Sequence, residues 1–406
     1  MRHSQFFERL YMRIKITILG LFCWAACAVS YAKEPLGLTL GPGGTVLKEG
    51  QPYRGVGLNY LDCFTRTLRK NPDTSYEEGF RVLAEHHIPF VRCAFTPLSV
   101  KEMQLYQENR EAYFKLMDGV VQCAERSGVG LIPSIFFAAK TMVPRLVKEH
   151  ADQWGNPDSQ TMAFMRQYTH EVVSRYRNSP AIWAWEFCNE YNSYADLPYA
   201  ATYLPKVKDS GANEPKFPTP RDYPTHDIMI VAFREFARAV RRDDPNRLIE
   251  SGADFPKKSA WHFYKEHNST IDTPAQFEVM LSLNAIDPMD LISVHCYNDT
   301  PTKLQRKDNW ERLDAAVAAA RNLGKPLFVG EFQYPSEYGP DSPQARRAMD
   351  EFLAKLDRLQ VPLAAVWVFY FANQEKDRNI TTTNQRAWEL PLIRAHNEKL
   401  ARSSNR

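Results

Sequence analysis

The 406-residue sequence predicts an α/β fold, specifically a (β/α)8 barrel. Three observations lead there: eight short apolar runs, amphipathic stretches of helical spacing between them, and no Ser/Gly linker or low-complexity tract to divide the chain. The strand candidates are Arg54–Tyr60, Phe90–Phe95, Gly130–Phe136, Ile182–Phe187, Arg247–Ser251, Leu291–Cys296, Pro326–Phe332 and Ala364–Phe371. Helical spacing marks Tyr76–His86, Arg110–Ser127, Thr161–Tyr176, Asp227–Arg242, Trp310–Leu323 and Pro343–Leu359. Eight alternating units of this kind indicate a closed barrel rather than an open sheet.

In chain order, the first element is an expected export leader over residues 1–32. Arg2, Arg9, Arg13 and Lys15 precede the apolar run Ile16–Val29, and Ser30-Tyr31-Ala32 supplies small residues for cleavage before Lys33. The run is shorter than the ~20 residues that span a bilayer, so no stable membrane insertion is expected after cleavage. Anchoring through Cys27 is the lesser alternative, because Trp24 stands where lipoprotein sites carry an aliphatic residue. The protein is thus expected to be secreted or periplasmic, with residues 33–406 forming one domain. Leu38–Tyr53 reads as an N-terminal β-hairpin that turns at Gly41-Pro42-Gly43-Gly44 and closes the barrel bottom. An extended Pro-, Tyr- and Asn-rich loop, Tyr191–Tyr223, follows strand four and falls on the C-terminal face, where it shapes the substrate cleft through Tyr194, Tyr199 and Tyr203 or simply packs as a loop.

Charge and cysteine usage narrow the partners. Removing the leader takes away four basic and one acidic residue and leaves 47 of each sign, so the mature chain is formally neutral. Neither a nucleic acid nor an anionic membrane suits such a balance. Five cysteines remain, Cys63, Cys93, Cys123, Cys188 and Cys296, without CxxC spacing or histidines at zinc-site intervals. Small buried hydrophobes is their expected role, and no metal or organic cofactor is expected.

Two strand ends carry the chemistry. The aromatic run Trp183-Ala184-Trp185-Glu186-Phe187-Cys188 delivers Asn189-Glu190, and strand alternation puts Ala184, Glu186, Cys188 and Glu190 on one side. If that side faces the barrel interior, Glu190 emerges at the mouth and Glu186 lies a layer deeper, where a buried acid needs a base such as Arg92 or His295. The run Pro326-Leu327-Phe328-Val329-Gly330 ends in Glu331. Two glutamates at the catalytic end of a barrel form the carboxylate pair that glycoside hydrolysis requires, one to protonate the departing oxygen and one to meet the positive charge at the anomeric carbon.

These segments resemble the retaining β-glycosidases of glycoside hydrolase clan A, most closely family 5, which includes cellulases and β-mannanases. The resemblance spans Gln51 to about Asn397 and rests on ordered spacing. It implies that Glu190, after Asn189 at the end of strand four, is the acid/base, and that Glu331 at the end of strand seven is the nucleophile. It further implies that Arg92 hydrogen-bonds the nucleophile, that His295 and Tyr297 form the strand-six His-x-Tyr, and that Trp367 floors the −1 sugar subsite. Asn189 would then bind the substrate 2-hydroxyl. Tyr191 departs from the Pro that many members carry after the acid/base. The implied substrate is a β-linked oligo- or polysaccharide of β-mannan or β-glucan type. Two rivals remain: a catalytically silent carbohydrate-binding barrel, and a metal-dependent barrel hydrolase, for which His86-His87 and His295 lack the usual His-x-His spacing.

Overall fold

The computed structural model describes residues 35–139, 142–198, 219–298, 308–376 and 378–404. The leader, Cys27, Tyr199 and Tyr203 lie outside the described residues.

An antiparallel three-stranded sheet comes first, made of β1 (Leu38–Leu40), β2 (Val46–Lys48) and β3 (Gln51–Pro52). Eight parallel strands follow: β4 (Gly55–Asn59), β5 (Phe90–Ala94), β6 (Gly130–Phe136), β7 (Ala184–Cys188), β8 (Leu248–Glu250), β9 (Ile292–Tyr297), β10 (Leu327–Gln333) and β11 (Leu363–Val366). Their order is β8-β7-β6-β5-β4-β11-β10-β9, and a bridge from Glu250 to Leu291 links the two outer strands, so the sheet rolls into a nearly closed (β/α)8 TIM barrel. Every strand residue of the barrel is buried.

The helix after each strand covers the outside: α1 (Tyr76–Glu85), α2 (Arg110–Ser127), α3 (Gln160–Tyr176), α4 (His226–Asp243), α5 (Pro274–Ser282), α6 (Asn309–Asn322), α7 (Pro343–Arg358) and α8 (Glu389–Ser404). Their starts follow capping chemistry. Asn109, Ser159, Thr225, Thr273 and Ser342 each accept a backbone N–H of the first turn, and Pro274 and Pro343 occupy first-turn positions where no N–H is needed. In α4 the buried face is Met229, Ala232, Phe233, Phe236, Ala237 and Val240, a helical stripe that packs on the sheet. No described helix is long and apolar enough to cross a membrane.

The hairpin seals the N-terminal end of the barrel as expected. Leu38 donates its N–H to the Trp183 carbonyl at 2.7 Å, and Leu38 and Val46 join one apolar cluster with Phe90, Ile132, Trp183, Leu248, Leu291, Phe328 and Leu363. Strand eight is shorter than its apolar run. The regular strand β11 ends at Val366, though the Trp367 N–H still donates to Phe332 of β10 and the Phe369 N–H to Asn59 of β4, while Val368 and Tyr370 bond to Ile380 of the following loop. The five cysteines are free thiols and buried.

Candidate active site

Most barrel strands start in the apolar cluster, and polar side chains stand further along several of them, among them Asn59, Arg92, Ser134, Glu186, Glu250, His295 and Glu331. Arg92 on β5 is the hub of the polar end. Its Nη1 donates to Glu331 Oε1 at 2.7 Å and to Asn59 Oδ1 at 3.1 Å. Its Nη2 donates to Glu186 Oε1 and to Asn189 Oδ1, both at 2.8 Å, and its Nε donates to Glu186 Oε2. Burial works against the guanidinium charge, but Glu186, Glu331 and Glu250 outweigh it and leave Arg92 more firmly protonated than in water.

Glu331 is held on both oxygens, since Tyr297 Oη donates to Oε2 at 2.6 Å while Arg92 holds Oε1. A bulge aims it. The β10–β9 register slips between Val329 and Glu331, so that Gly330 is the extra residue and Glu331 stands opposite His295. A side chain at Gly330 would begin 3.1 Å from His295 Nε2 and 3.3 Å from Ser293 Oγ, which explains why glycine sits at the bulge.

Glu190 is delivered by a backbone turn. It adopts φ 50°, a left-handed conformation uncommon outside glycine, and its N–H donates to the Gly252 carbonyl at 2.7 Å. Because the chain leaves the ladder after Cys188, strict alternation no longer applies, and Asn189 and Glu190 both face the cleft. His295 Nδ1 lies 3.0 Å from Glu190 Oε1 and 3.5 Å from Glu331 Oε1. Those two oxygens can therefore be no further apart than the sum of the distances, about 6.5 Å. Retaining glycosidases space the pair at about 5–5.5 Å and inverting ones at about 6.5–9.5 Å, so the bound lies at the lower edge of the inverting range.

The cavity above these groups has a volume of about 330 Å³. It is lined by Leu61, Phe137, Asn189, Glu190, Tyr297, Glu331, Trp367, Phe371, Gln374 and Arg378. Trp367 is fixed there by its indole N–H, which donates to Gln374 Oε1 at 2.7 Å, and the peptide bond that follows it is cis. Thus Glu190, Glu331, Asn189, Arg92, His295, Tyr297 and Trp367 all meet around one cleft.

The sequence pattern of the Cellulase family (glycosyl hydrolase family 5) matches residues 50–373, most of the chain. The chain belongs to that family. Among its relatives, mannan endo-1,4-beta-mannosidase 7 of Arabidopsis thaliana is 23% identical over 358 residues, covering 78% of this chain and 74% of the relative. A probable mannan endo-1,4-beta-mannosidase C of Aspergillus terreus is 24% identical over 253 residues, 60% of this chain, and the match spans about half of that relative's length, 54%. The endo-1,4-beta-mannanase structure from Rhizomucor miehei superposes with a TM-score of 0.63 at 14% identity, covering 90% of this chain and 100% of the other. The protein is therefore a family 5 glycosidase on a TIM barrel.

Several residues of this family 5 site carry no signal in the sequence reading. Asn59 ends β4 as a lone polar residue in an apolar run, and its amide donates to the carbonyls of Gly330, Ala365 and Val366, tying β4 to β10 and β11. Gln374 and Arg378 come from an irregular loop without periodicity; the Arg378 guanidinium lies 4.9 Å from the Tyr297 ring centre. Tyr194 packs with Leu197, Tyr223 and Phe263 in a small cluster of its own, which is loop packing. Among the described residues, Glu190, Asp254 and His295 each bring one ligand-type atom within 4.8 Å of the others. Asp254 is already engaged there: Ser193 Oγ donates to Oδ2 at 2.8 Å, Lys257 Nζ lies 3.3 Å from that oxygen, and the Phe255 N–H donates to Oδ1 at 2.8 Å.

Proposed function

We propose that this glycosidase cleaves β-1,4-linked mannan with retention of configuration, using Glu331 as nucleophile and Glu190 as acid/base. The observation that carries the reading is the placement of both carboxyls against one nitrogen, His295 Nδ1, on the rim of the same cleft. Glu331 is held on both oxygens by Arg92 and Tyr297, which fixes its aim as a nucleophile, whereas Glu190 is the more accessible of the two and reaches the cleft where a leaving oxygen would stand. In the first step Glu331 attacks the anomeric carbon while Glu190 protonates the departing oxygen. In the second, Glu190 deprotonates water, which opens the glycosyl ester. Asn189, oriented by Arg92, would bind the 2-hydroxyl, and Trp367 would form the floor under the reacting sugar. The mannan assignment is supported by what the Arabidopsis and Aspergillus relatives are named for.

Glu331→Ala is expected to abolish turnover of mannan oligosaccharides, with azide restoring an inverted glycosyl azide from an activated aryl mannoside. Glu190→Ala should slow natural glycosides by about 10²–10⁴-fold, spare aryl substrates in their first step, and give a retained azide product. Product anomers are read by NMR. Full activity in both variants, or loss of wild-type activity to a chelator with no azide response in either, defeats the assignment. We also propose export with cleavage before Lys33, supported by the small residues Ser30-Tyr31-Ala32 after the apolar run. N-terminal sequencing of the secreted or periplasmic protein should begin at Lys33, and a terminus at a lipidated Cys27 would overturn this.

A further inference from the structure

Beneath the cleft lies an acid that the mechanism does not use. Glu250 on β8 pairs across the ladder with Glu186 on β7, and both are fully buried. One guanidinium, that of Arg92, faces three carboxyls: Glu186, Glu331 and Glu250. Arg92 occupies both oxygens of Glu186. Glu250 Oε2 accepts the Gly252 N–H, whereas its Oε1 receives no donor, although the Glu186 carboxyl is its hydrogen-bonding neighbour. As a carboxylate, Glu250 would leave a bare buried oxygen beside a second negative charge. As an acid, the carboxyl becomes a donor, with the Glu186 carboxyl beside it as acceptor.

The connections from Glu250 run to both proposed catalytic groups. Through Glu186 it reaches Arg92, whose Nη1 holds Glu331. Through Gly252, which donates to Glu250 and accepts the Glu190 N–H, it reaches the turn that presents Glu190. Only glycine allows this second link. Gly252 has φ +70°, and a Cβ there would stand 1.6 Å from the Cys188 carbonyl oxygen and 2.9 Å from the Glu186 carboxyl carbon.

We propose that Glu250 is a positioning residue that stays protonated at neutral pH, donates a hydrogen bond to the Glu186 carboxylate, and so sets the placement of both Glu331 and Glu190. The electrostatics agree with the geometry. Burial and the Glu186 charge push the Glu250 carboxyl well above the usual range, while Arg92 overcomes burial and holds Glu186 below it. The charged groups facing the pair are Arg92, Glu331 beyond it, and each other.

The consequence for kinetics rests on the nucleophile assignment above; the spectroscopic one does not. Infrared spectra at neutral pH should show the carbonyl stretch of a protonated carboxyl that disappears in Glu250→Gln. Absence of that band in the wild type overturns the proposal whatever Glu331 does. Glutamine copies the protonated acid, with an amide N–H for Glu186 and an oxygen for Gly252. Glu250→Gln should therefore keep the wild-type acid limb of kcat/KM, and Glu186→Gln, which removes a real charge beside Arg92, should move that limb to lower pH. Glu250→Ala should lower kcat by up to about 10²-fold with less change in KM, and the glutamine variant should recover most of it. An acid limb displaced in Glu250→Gln as in Glu186→Gln, or wild-type kcat in Glu250→Ala, refutes the role. A folding readout guards the test. A carboxyl raised in the folded state binds a proton that the unfolded chain has lost, so the contribution of Glu250 to wild-type stability falls as pH rises above the ordinary Glu range. The melting temperature of Glu250→Gln should accordingly gain on the wild type between pH 4 and pH 8, and a constant difference would count against a raised Glu250.

Discussion

The two ends of this barrel are made from the same strands, yet they obey different rules. At the N-terminal end, Phe90, Ile132, Ala184, Leu248, Leu291 and Phe328 meet the hairpin residues Leu38 and Val46 in an apolar plug. Two positions further along the same strands stand Arg92, Ser134, Glu186 and Glu250, all buried, with His295, Glu331 and, just past β7, Glu190 at the mouth. The plug is stabilised by area removed from water and tolerates imprecise placement. The polar end gains little net stability from its ion pairs, because desolvation offsets the attraction, but each member leaves the others exposed to a large penalty if it is removed. The lower half thus holds the barrel shut, and the upper half gives up part of that stability to fix charges at defined places.

Breaking one residue at each end should separate these roles. The largest effect is expected for Arg92→Met, which strands Glu186 and Glu331 without a cation: about 3–5 kcal/mol of stability should be lost, together with measurable turnover. Urea unfolding and mannan hydrolysis measured on the same sample check both halves of that statement. Trp183→Ala strikes the plug, where the indole packs against Phe90 at 5.6 Å and Tyr53 at 5.4 Å between ring centres. It too should cost about 3–5 kcal/mol, yet kcat should stay at the wild-type value wherever the variant is still folded. A large fall in kcat for Trp183→Ala at full folding would show that the two ends are not separable.

The fold was legible because period and burial agree. The parallel strands are buried on both faces and read as continuous apolar runs, and each of the eight runs contains one observed strand or most of it. α5 and α8 were not singled out: Pro274–Ser282 is short and apolar around most of its surface, and Glu389–Ser404 follows the last strand after a long irregular stretch. The strand-end carboxylates were legible because charge in an apolar run is conspicuous, and the buried Glu186 found the base that burial demanded in Arg92. What stayed hidden depended on backbone departures from regular geometry. The bulge at Gly330 and the left-handed Glu190 each break the alternation from which side-chain direction is read. Glu250 was hidden for another reason: it stands in an apolar run as Glu186 does, but nothing in the sequence marks an acid that is neutral.

The loop after β11 gives the gentlest test of the contrast, because its contribution to the mouth is positional and made in part by residues that water can replace. Gln374 accepts the Trp367 indole N–H at 2.7 Å, and Trp367 is mostly but not wholly buried at the cleft wall. In Gln374→Ala, water entering from the open cleft can take over the acceptor role, so the loss should stay within the ordinary net value of one hydrogen bond, about 0.5–1.5 kcal/mol. The indole then has more freedom to tilt, and a flat surface for a sugar is less well fixed before substrate arrives. Ground-state and transition-state binding should suffer alike, because the proposed contact with the sugar ring is made in both. KM for mannan oligosaccharides is therefore expected to rise by roughly 2–10-fold with kcat unchanged. A fall in kcat at constant KM would mean that Gln374 acts through the reacting centre, and the mouth would then be rigid to its rim rather than only where Arg92, His295 and Tyr297 converge.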